Sequence, residues 1–345
     1  MGKLNDDPRI DPRIKAAMGA LPSRTRSDVA DRDEIMAEIA TPEAQEIRAL
    51  IDGFLDSLDN EAIAPRAGLT ISEHTFVSAP DGNEIPLQFI RPDGDEPKPC
   101  VYYLHGGGMA SMSAFNGMYS TWGRIIAHQG VAVAMPDFRN CAVPSRSGDV
   151  APYPAGLNDC VSGVTWLIDH AADLGIDPAS VIIAGESGGG NLTLATGMAL
   201  LRNGDIGLVK GLYALCPYIA GEWPQERFPS SIENEGILLS LHNNRGRMTY
   251  GIDAFEAGDP LAWPSFATET DVAGLPPTFI SVNECDPLRD EGIDFYRLLL
   301  RAGVNAQCRT VMGTIHGTEI FATACPDVSH ETAASIAHFL DSVSG

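Results

Sequence analysis

The sequence lacks the features of exported and membrane proteins. No apolar stretch approaches the ~20 residues that a helix needs to cross a bilayer. Residues 1–26 are charged and interrupted by prolines, so they contain no apolar core of signal-peptide length. The seven cysteines are an odd count without paired spacing, which favours reduced thiols over disulfides. We therefore expect a cytoplasmic protein without a membrane partner.

Basic residues are also scarce. Lys and Arg number 23 against 46 Asp and Glu, so the formal net charge is −23. Such a charge repels nucleic acid and anionic lipid, and we expect neither as a partner. No Cys/His cluster has zinc-binding spacing, and the glycines match neither a phosphate-binding loop nor a dinucleotide fingerprint. The sequence thus predicts no metal and no cofactor.

Short apolar segments alternate with helical segments along most of the 345 residues. Two alternating stretches, 70–78 and 84–91, flank Asp81-Gly82, a pair typical of a β-hairpin. Most of the six apolar segments that follow are separated by predicted helices: Val101–Leu104, Val131–Met135, Val181–Ala184, Leu212–Leu215, Thr278–Val282 and Cys308–Met312. This pattern predicts an α/β fold with an eight-stranded, mostly parallel sheet and helices on both faces.

Two regions fall outside this alternation. Residues 1–60 are predicted to be helical, with one helix beginning at Thr41-Pro42-Glu43. Residues 218–256 interrupt the strands, carry a helical stretch near Leu238–Tyr250, and lie where active-site loops occur. We expect residues 1–60 and the insertion 218–256 to form a helical cap. The catalytic domain would then consist of residues 61–217 and 257–345.

The most informative segment is Gly185–Gly190, which has the sequence Gly-Glu-Ser-Gly-Gly-Gly. It follows an apolar run and precedes a helical stretch, as in a nucleophile elbow, where a strained Ser187 exposes its oxygen. Gly185 and Gly189 keep the turn clear of its neighbours. A glycine-rich turn without chemistry is the alternative interpretation. Choosing between them requires a base, an acid and an oxyanion hole elsewhere in the chain.

A second glycine-rich segment, His105-Gly106-Gly107-Gly108, follows the third predicted strand. Consecutive glycines let backbone N–H groups approach a ligand and hold the negative oxygen of a tetrahedral intermediate. A flexible loop is the alternative, and the order of the motifs along the chain favours the oxyanion hole. We expect His105 to brace this loop by hydrogen bonding.

A candidate base and a candidate acid follow the elbow in the order that this fold requires. His316 lies in a loop directly after the last predicted strand. The other downstream histidines lie in the predicted insertion or C-terminal helix: His242, His330 and His338. Asp286 lies in the loop after the preceding strand, and Pro287 disfavours helical geometry there. Asp286 is therefore the candidate partner of His316, with Glu284 as the alternative.

Together these motifs resemble the hormone-sensitive-lipase-like family of esterases, bacterial family IV, which has the α/β-hydrolase fold. The resemblance extends from about Val101 to Gly317. It rests on four segments: His105–Gly108, Gly185–Gly190, Asp286–Gly292 and His316-Gly317. Many members have Asp before and Ala after the nucleophile, where this chain has Glu186 and Gly188.

The resemblance implies roles for the matching residues. Ser187 would be the nucleophile, His316 the base and Asp286 the acid of a catalytic triad. The oxyanion would be held by backbone N–H groups of Gly107, Gly108 and Gly188. The family also implies a helical cap, short-to-medium acyl esters as substrates, and a tendency to form homodimers.

The sequence therefore predicts a carboxylesterase that works through an acyl-enzyme. Lactonase or amidase activity stays open, because those reactions share the tetrahedral intermediate. A small-molecule receptor on the same fold is a third hypothesis, which the presence of His316 and Asp286 disfavours. Four residues are candidates either for an acyl or alcohol pocket or for ordinary core packing: Met109, Met112, Phe115 and Trp223.

Overall fold

One eight-stranded sheet organises the computed structural model, which describes residues 3–20 and 25–344. The strands are β1 (Leu69–Val77), β2 (Glu84–Pro92), β3 (Lys98–Leu104), β4 (Ala132–Pro136), β5 (Ile176–Glu186), β6 (Gly211–Leu215), β7 (Thr278–Asn283) and β8 (Ala306–Val311). Their order across the sheet is β1-β2-β4-β3-β5-β6-β7-β8. β1 and β2 form the predicted antiparallel hairpin, and β3 to β8 run parallel. The predicted α/β-hydrolase sheet is confirmed.

Helices connect the parallel strands and also form the N-terminal region. In chain order the α-helices of the described residues are α1 (Lys3–Asp6), α2 (Pro12–Met18), α3 (Arg32–Ile39), α4 (Pro42–Ser57), α5 (Gly117–Ala127), α6 (Ala155–Asp169), α7 (Ala171–Leu174), α8 (Gly188–Asn203), α9 (Ser230–Glu233), α10 (Arg245–Tyr250), α11 (Ile252–Glu256), α12 (Glu269–Val272), α13 (Arg289–Arg301) and α14 (Pro326–Ser344). None of these helices combines the length and apolar character needed to cross a membrane.

The two faces of the sheet bury separate cores. In β3, Tyr102 and Leu104 pack with residues of α6, α8 and α13, whereas Val101 and Tyr103 pack with residues of α5 and α14. Successive side chains of a strand point to opposite faces, so this alternation follows from strand geometry. Because helices cover both faces, the central strands are apolar at nearly every position, as expected for a parallel sheet.

The carboxyl ends of the parallel strands meet at one edge of the sheet. The segments that carry the predicted site leave from this edge: residues 105–108 after β3, Ser187 after β5, 284–288 after β7 and 312–317 after β8. Ligand sites of open α/β sheets lie at this edge. The topology alone therefore brings the four sequence motifs close together.

The N-terminal helices pack beside this edge. Ile10 and Ile14 share a buried cluster with Cys285 and Ile315, which lie in the loops after β7 and β8. The backbone N–H of Asp11 donates to the carbonyl of Gly313 over 2.9 Å. The first helices are thereby attached to the loop that carries His316.

The N-terminal region also contacts the insertion at 218–256. The side-chain amide of Asn244 donates to the carbonyl of Val29 over 2.8 Å, and its oxygen accepts from the Val29 N–H over 2.9 Å. Arg245 forms a two-pronged ion pair with Glu38, with both contacts at 2.7 Å. These bonds link residues that are more than two hundred positions apart in sequence.

The insertion is less helical than predicted. Within the predicted stretch Leu238–Tyr250, only Arg245–Tyr250 forms an α-helix. The Glu235 carboxylate accepts the backbone N–H of Leu241 and the hydroxyl of Ser240, and Leu238 has a φ of 62°. Side-chain bonds of this kind compete with the helical ladder, so the helix begins only after Asn244.

Replacing Ile183 in the centre of β5 with alanine should destabilise the protein. Ile183 is completely buried, and the cavity left behind should lower the free energy of unfolding by about 2–5 kcal/mol. Val77→Ala is the control, at a β1 position that is 65% exposed, and should cost less than about 1 kcal/mol. Urea denaturation followed by circular dichroism measures both changes. Equal losses in the two variants would contradict the position of β5 in the core.

Candidate active site

The chain turns sharply at Ser187, between the end of β5 and the start of α8. The backbone angles of Ser187 are φ 58° and ψ −119°, a strained combination for a residue with a side chain. The flanking glycines are required by close backbone contacts. A Cβ at Gly189 would lie 2.0 Å from the carbonyl oxygen of Leu104, and a Cβ at Gly185 would lie 2.5 Å from the carbonyl oxygen of Gly189. The turn therefore has the geometry of a nucleophile elbow.

Two hydrogen bonds connect Ser187 to Asp286 through His316. Nδ1 of His316 is 2.7 Å from Oδ2 of Asp286, and Nε2 is 2.9 Å from Oγ of Ser187. Because the carboxylate can only accept, Nδ1 carries the proton of the neutral ring and Nε2 accepts from the serine hydroxyl. Asp286 is completely buried, and the His316 side chain is 8% exposed. The hydroxyl of Ser187 is thus paired with a base whose orientation is fixed.

Local hydrogen bonds hold Asp286 in place. Its Oδ1 accepts the backbone N–H of Leu288 over 2.9 Å, and its carbonyl accepts from the Asn234 amide over 3.0 Å. Glu284, the alternative acid, has a different contact: its carboxylate accepts the N–H of Gly313 over 2.8 Å. Glu284 therefore anchors the loop that leads to His316, while Asp286 contacts the imidazole.

The surroundings of His316 stabilise the imidazolium that forms when the ring takes up a proton. Burial alone would lower the pKa of the imidazole, but the charge and hydrogen bond of Asp286, together with contacts to Cys216, outweigh burial and raise the pKa well above its usual value. A raised pKa makes His316 a stronger base toward the Ser187 hydroxyl. The other histidines lie elsewhere: His330 and His338 are exposed on α14, and His242 bonds to the carbonyl of Ser231.

The glycine loop after β3 faces Ser187. Gly107 and Gly108 have φ values of 90° and 63°, and both line the cavity that contains Ser187 and His316. Gly188 is buried behind them, and a Cβ built on it would lie 2.8 Å from the backbone nitrogen of Gly108. The backbones of the glycine loop and of the elbow therefore approach each other closely. The backbones of the predicted oxyanion donors Gly108 and Gly188 therefore lie in contact, and Gly107 precedes Gly108 in the same loop.

His105 braces the start of this loop, as the sequence predicts. Its ring stacks on Phe138 with a centroid distance of 4.1 Å, and Nδ1 lies 3.0 Å from the carbonyl of Gly106. Burial lowers the pKa of His105, which favours the neutral ring despite the nearby Asp137. The ring is 1% exposed and packs in the protein interior.

Glu186 is a site residue that sequence reasoning missed. Its carboxylate accepts the N–H of Gly106 over 2.7 Å and the hydroxyls of Tyr119 and Tyr103 over 2.5 and 2.6 Å. Burial raises the pKa of Glu186 to about 7, against the opposing effect of these hydrogen bonds. The residue next to Ser187 thus holds the first N–H of the glycine loop. The sequence contained one signal for this role. An acidic residue lies in the elbow, and Tyr103 and Tyr119 lie before and after the glycine loop.

The cavity in front of Ser187, here called the catalytic cavity, has a volume of about 410 Å³. Met112 lines it, as the sequence analysis suggested. Sequence reasoning missed most of its apolar wall, which comes from the insertion and from the segment after His316: Tyr218, Leu238, Leu239, Leu241, Ile320 and Phe321. The position of these residues depends on how the insertion folds back over the sheet edge.

The other three pocket candidates have structural contacts instead and do not line the catalytic cavity. Met109 is 2% exposed, and its carbonyl accepts the N–H of Cys141. Phe115 packs beneath the guanidinium of Arg146, 4.0 Å from the ring centroid. Trp223 is 5% exposed and donates its indole N–H to Glu291 over 2.6 Å. Of the two possibilities that the sequence left open for these residues, their contacts favour packing in the core or at the surface over the pocket.

Cys216 lies beside the triad. Its sulfur, a carboxylate oxygen of Asp286 and a ring nitrogen of His316 all lie within 4.8 Å of one another. These are donor types that a soft divalent metal can bind. Two of the three groups are, however, already hydrogen-bonded to each other. A metal bound there would compete with the bond that orients His316.

Comparisons with known proteins agree with this fold. A family model described as "alpha/beta hydrolase fold" matches residues 101–320. Carboxylesterase NlhH of Mycobacterium tuberculosis is 30% identical over 245 residues, which cover 69% of this chain and 72% of NlhH. The structure of esterase Est22 superposes with a TM-score of 0.97 at 63% identity and covers 99% of both chains.

Brefeldin A esterase, titled a bacterial homologue of human hormone sensitive lipase, is a further structural match. It is 34% identical, with a TM-score of 0.86 over 99% of this chain and 96% of that chain. The elbow variant with Glu186 and Gly188 is a feature by which the sequence also resembles brefeldin A esterase. The sheet, the elbow and the hydrogen bonds that connect Ser187, His316 and Asp286 define an α/β-hydrolase. Within that class, the chain belongs to the hormone-sensitive-lipase-like esterases.

Replacing Glu186 with glutamine should impair catalysis more than binding. Glutamine keeps the size of the side chain but offers one acceptor oxygen instead of two, so it cannot hold Gly106 and both tyrosines. We expect kcat to fall by about tenfold to a hundredfold with a small change in KM, since displaced oxyanion donors act mainly in the transition state. Glu226→Gln, at an exposed position, is the matched control. A change in KM alone would contradict the bracing role.

Proposed function

We propose that this protein is a carboxylesterase that hydrolyses short-to-medium acyl esters through a covalent acyl-enzyme. The observation that carries the proposal is the continuous hydrogen-bonded chain from Ser187 through His316 to the buried Asp286. Ser187 and His316 line an apolar cavity, and the glycine loop lines the same cavity. The Ser187 hydroxyl, the oriented imidazole and two of the proposed oxyanion glycines, Gly107 and Gly108, therefore line one cavity, which supports the proposal. The names of the relatives, carboxylesterase and esterase, agree with this chemistry.

In the first half of the reaction, Oγ of Ser187 attacks the ester carbonyl while His316 Nε2 takes the hydroxyl proton. The carbonyl oxygen becomes negative and accepts hydrogen bonds from the N–H groups of Gly107, Gly108 and Gly188. The carbon–oxygen bond to the alcohol then breaks, and His316 gives its proton to the leaving oxygen. Asp286 stabilises the imidazolium and keeps Nε2 directed at the reacting atoms.

In the second half, water replaces the alcohol. His316 removes a proton from water as the water oxygen attacks the acyl carbon, and the same N–H groups hold the second oxyanion. The bond from the acyl carbon to Ser187 breaks, and His316 returns the proton to Oγ. The products are the carboxylic acid and the free serine. Lactones would follow the same steps, with the alcohol remaining part of the product.

We also propose that residues 1–60 and 218–256 act as a cap on the catalytic domain of residues 61–217 and 257–345. Support comes from the bonds between Asn244 and Val29 and from the ion pair between Arg245 and Glu38. The leucines that line the catalytic cavity near residue 240 come from this insertion. The cap would exclude water from the acyl-enzyme except at the attacking position.

A cytoplasmic location and a homodimer are further proposals. The seven cysteines are all free thiols, which agrees with a reducing compartment. Leu50, Ile51 and Phe54 on α4 are 70%, 51% and 44% exposed, a cluster of apolar side chains that supports contact with a second copy. Sedimentation velocity of the wild type and of a Leu50→Glu variant tests the homodimer.

Replacing Ser187 with alanine should abolish ester hydrolysis. Without the nucleophile, kcat for p-nitrophenyl acetate and butyrate should fall by at least about a thousandfold, leaving only what binding and the oxyanion hole contribute. Ser342→Ala, on the exposed part of α14, is the control and should keep full activity. Near-wild-type turnover by Ser187→Ala would refute the nucleophile assignment.

Replacing Asp286 with asparagine should slow the reaction and shift its pH dependence. Asparagine removes the charge that raises the pKa of His316, so the pKa falls. The acidic limb of the kcat/KM profile should therefore move to lower pH. At its plateau, kcat should be lower by about 10³–10⁴-fold, because the amide can hold the wrong tautomer of the ring. A pH–rate profile of both proteins measures this. An unmoved acidic limb would show that Asp286 does not control His316.

A further inference from the structure

A second cavity lies next to the catalytic cavity. Its volume is about 320 Å³, and it lies between the helices α3 and α4 and the segments around residues 111 and 143. Ser111 and Met112 line both cavities. The two spaces therefore share one wall, and that wall is part of the segment that follows the oxyanion glycines.

The side chain of Met112 forms part of the wall between the two cavities. A Cβ built on Gly107 would lie 3.1 Å from Cγ of Met112, so the methionine packs directly against a predicted oxyanion donor. The hydroxyl of Tyr119 contacts its sulfur over 3.5 Å. The backbone is fixed, because the carbonyl of Met112 accepts the Asn140 amide over 2.8 Å. An unbranched thioether on a fixed backbone can turn about its side-chain bonds while its surroundings stay in place.

Most residues around the second cavity are apolar, which suits an apolar chain. Its larger apolar lining residues include Ile35, Ile39, Ile47, Ile51, Leu55 and Val143. Arg26 and Arg245 also line it, and the guanidinium of Arg245 is already paired with Glu38 through two contacts of 2.7 Å. Arg48 and Asp52, four positions apart on α4, bring opposite charges to the same wall. An apolar occupant would gain from burial here, whereas a charged one would lose its hydration.

We propose that the second cavity binds the far end of an apolar chain of the ester substrate, and that Met112 controls entry to it. This inference rests on the proposed esterase function. It assigns the substrate class as uncharged esters whose acyl or alcohol chain extends past Met112. The reacting carbonyl stays at Ser187, and the chain passes Gly107 and the thioether into the space beneath α4. Short esters occupy the catalytic cavity alone.

Two substrate series and two substitutions test the proposal. One series varies the acyl chain from acetate to decanoate in p-nitrophenyl esters, and the other varies the alcohol chain in alkyl acetates. The measured quantity is the ratio of kcat/KM for long chains to that for the shortest. Val143→Phe fills the second cavity, and we expect it to lower this ratio by at least about tenfold in one series. Met112→Ala opens the shared wall and should raise the ratio by a similar factor.

The controls separate the cavity from general effects. Val77→Phe, at an exposed position of β1, should leave the ratio at its wild-type value. Combining Val143→Phe with Met112→Ala should cancel the gain from Met112→Ala, since both act on the same chain. The series that responds identifies whether the acyl or the alcohol chain enters.

Each outcome decides a different claim. If wild type hydrolyses esters but neither ratio changes in Val143→Phe or Met112→Ala, the second cavity does not bind substrate and the inference is wrong. If wild type hydrolyses no ester in either series, the proposed function itself is wrong. Circular dichroism and the thermal midpoint of each variant confirm that it is folded before its ratio is compared.

Discussion

The site depends on the close approach of two backbones, at the carboxyl ends of β3 and β5. A Cβ on Gly189 would lie 2.0 Å from the carbonyl oxygen of Leu104, and a Cβ on Gly188 would lie 2.6 Å from the backbone nitrogen of Met109. Glu186 then connects the same two segments through the N–H of Gly106. Because these contacts fix the glycine loop relative to Ser187, the Ser187 hydroxyl and the proposed oxyanion donors belong to one unit. Any side chain larger than hydrogen at these glycines would separate them.

Buried acids hold the loops around this unit. Glu186 holds the glycine loop, and Glu291 accepts the N–H groups of Ile219 and Ala220 at the start of the insertion. Burial raises the pKa of Glu291 to about 8, as it raises that of Glu186 to about 7. Each carboxylate receives several hydrogen bonds, which offset part of the cost of burying it. Glu186 and Glu291 therefore hold backbone segments around the site, whereas Asp286 orients the imidazole of His316.

Much of the fold and the centre of the site could be predicted from the sequence. The six parallel strands were recognisable because parallel strands buried on both faces form apolar runs, such as Val181–Ala184, between helical segments. The hairpin of β1 and β2 was recognisable from its alternating pattern around Asp81-Gly82. Ser187, Asp286 and His316 were recognisable because each lies in the segment that follows a strand, and parallel strands end at one edge. Each of these features follows from a pattern within a short stretch of sequence, so no knowledge of distant contacts was needed to predict it.

The rest depended on long-range contacts that no local pattern encodes. The insertion was predicted to be helical from about Leu238. The Glu235 carboxylate instead accepts the backbone N–H of Leu241, which competes with helical hydrogen bonding there. Trp223 was a pocket candidate, yet its indole N–H donates to the buried carboxylate of Glu291, 68 residues away, and the side chain packs in the core. The apolar wall of the cavity and the brace at Glu186 were missed for the same reason, since both require knowing how separate segments pack.

The central claim is that Ser187 is the nucleophile and the glycine loop holds the oxyanion. Reaction of the protein with a p-nitrophenyl alkylphosphonate, followed by crystallography of the adduct, tests both parts at once. The account predicts one phosphonyl group on Oγ of Ser187, with its free oxygen hydrogen-bonded to the N–H groups of Gly107, Gly108 and Gly188. A phosphonyl group on another residue, or an oxygen directed away from these glycines, would contradict it.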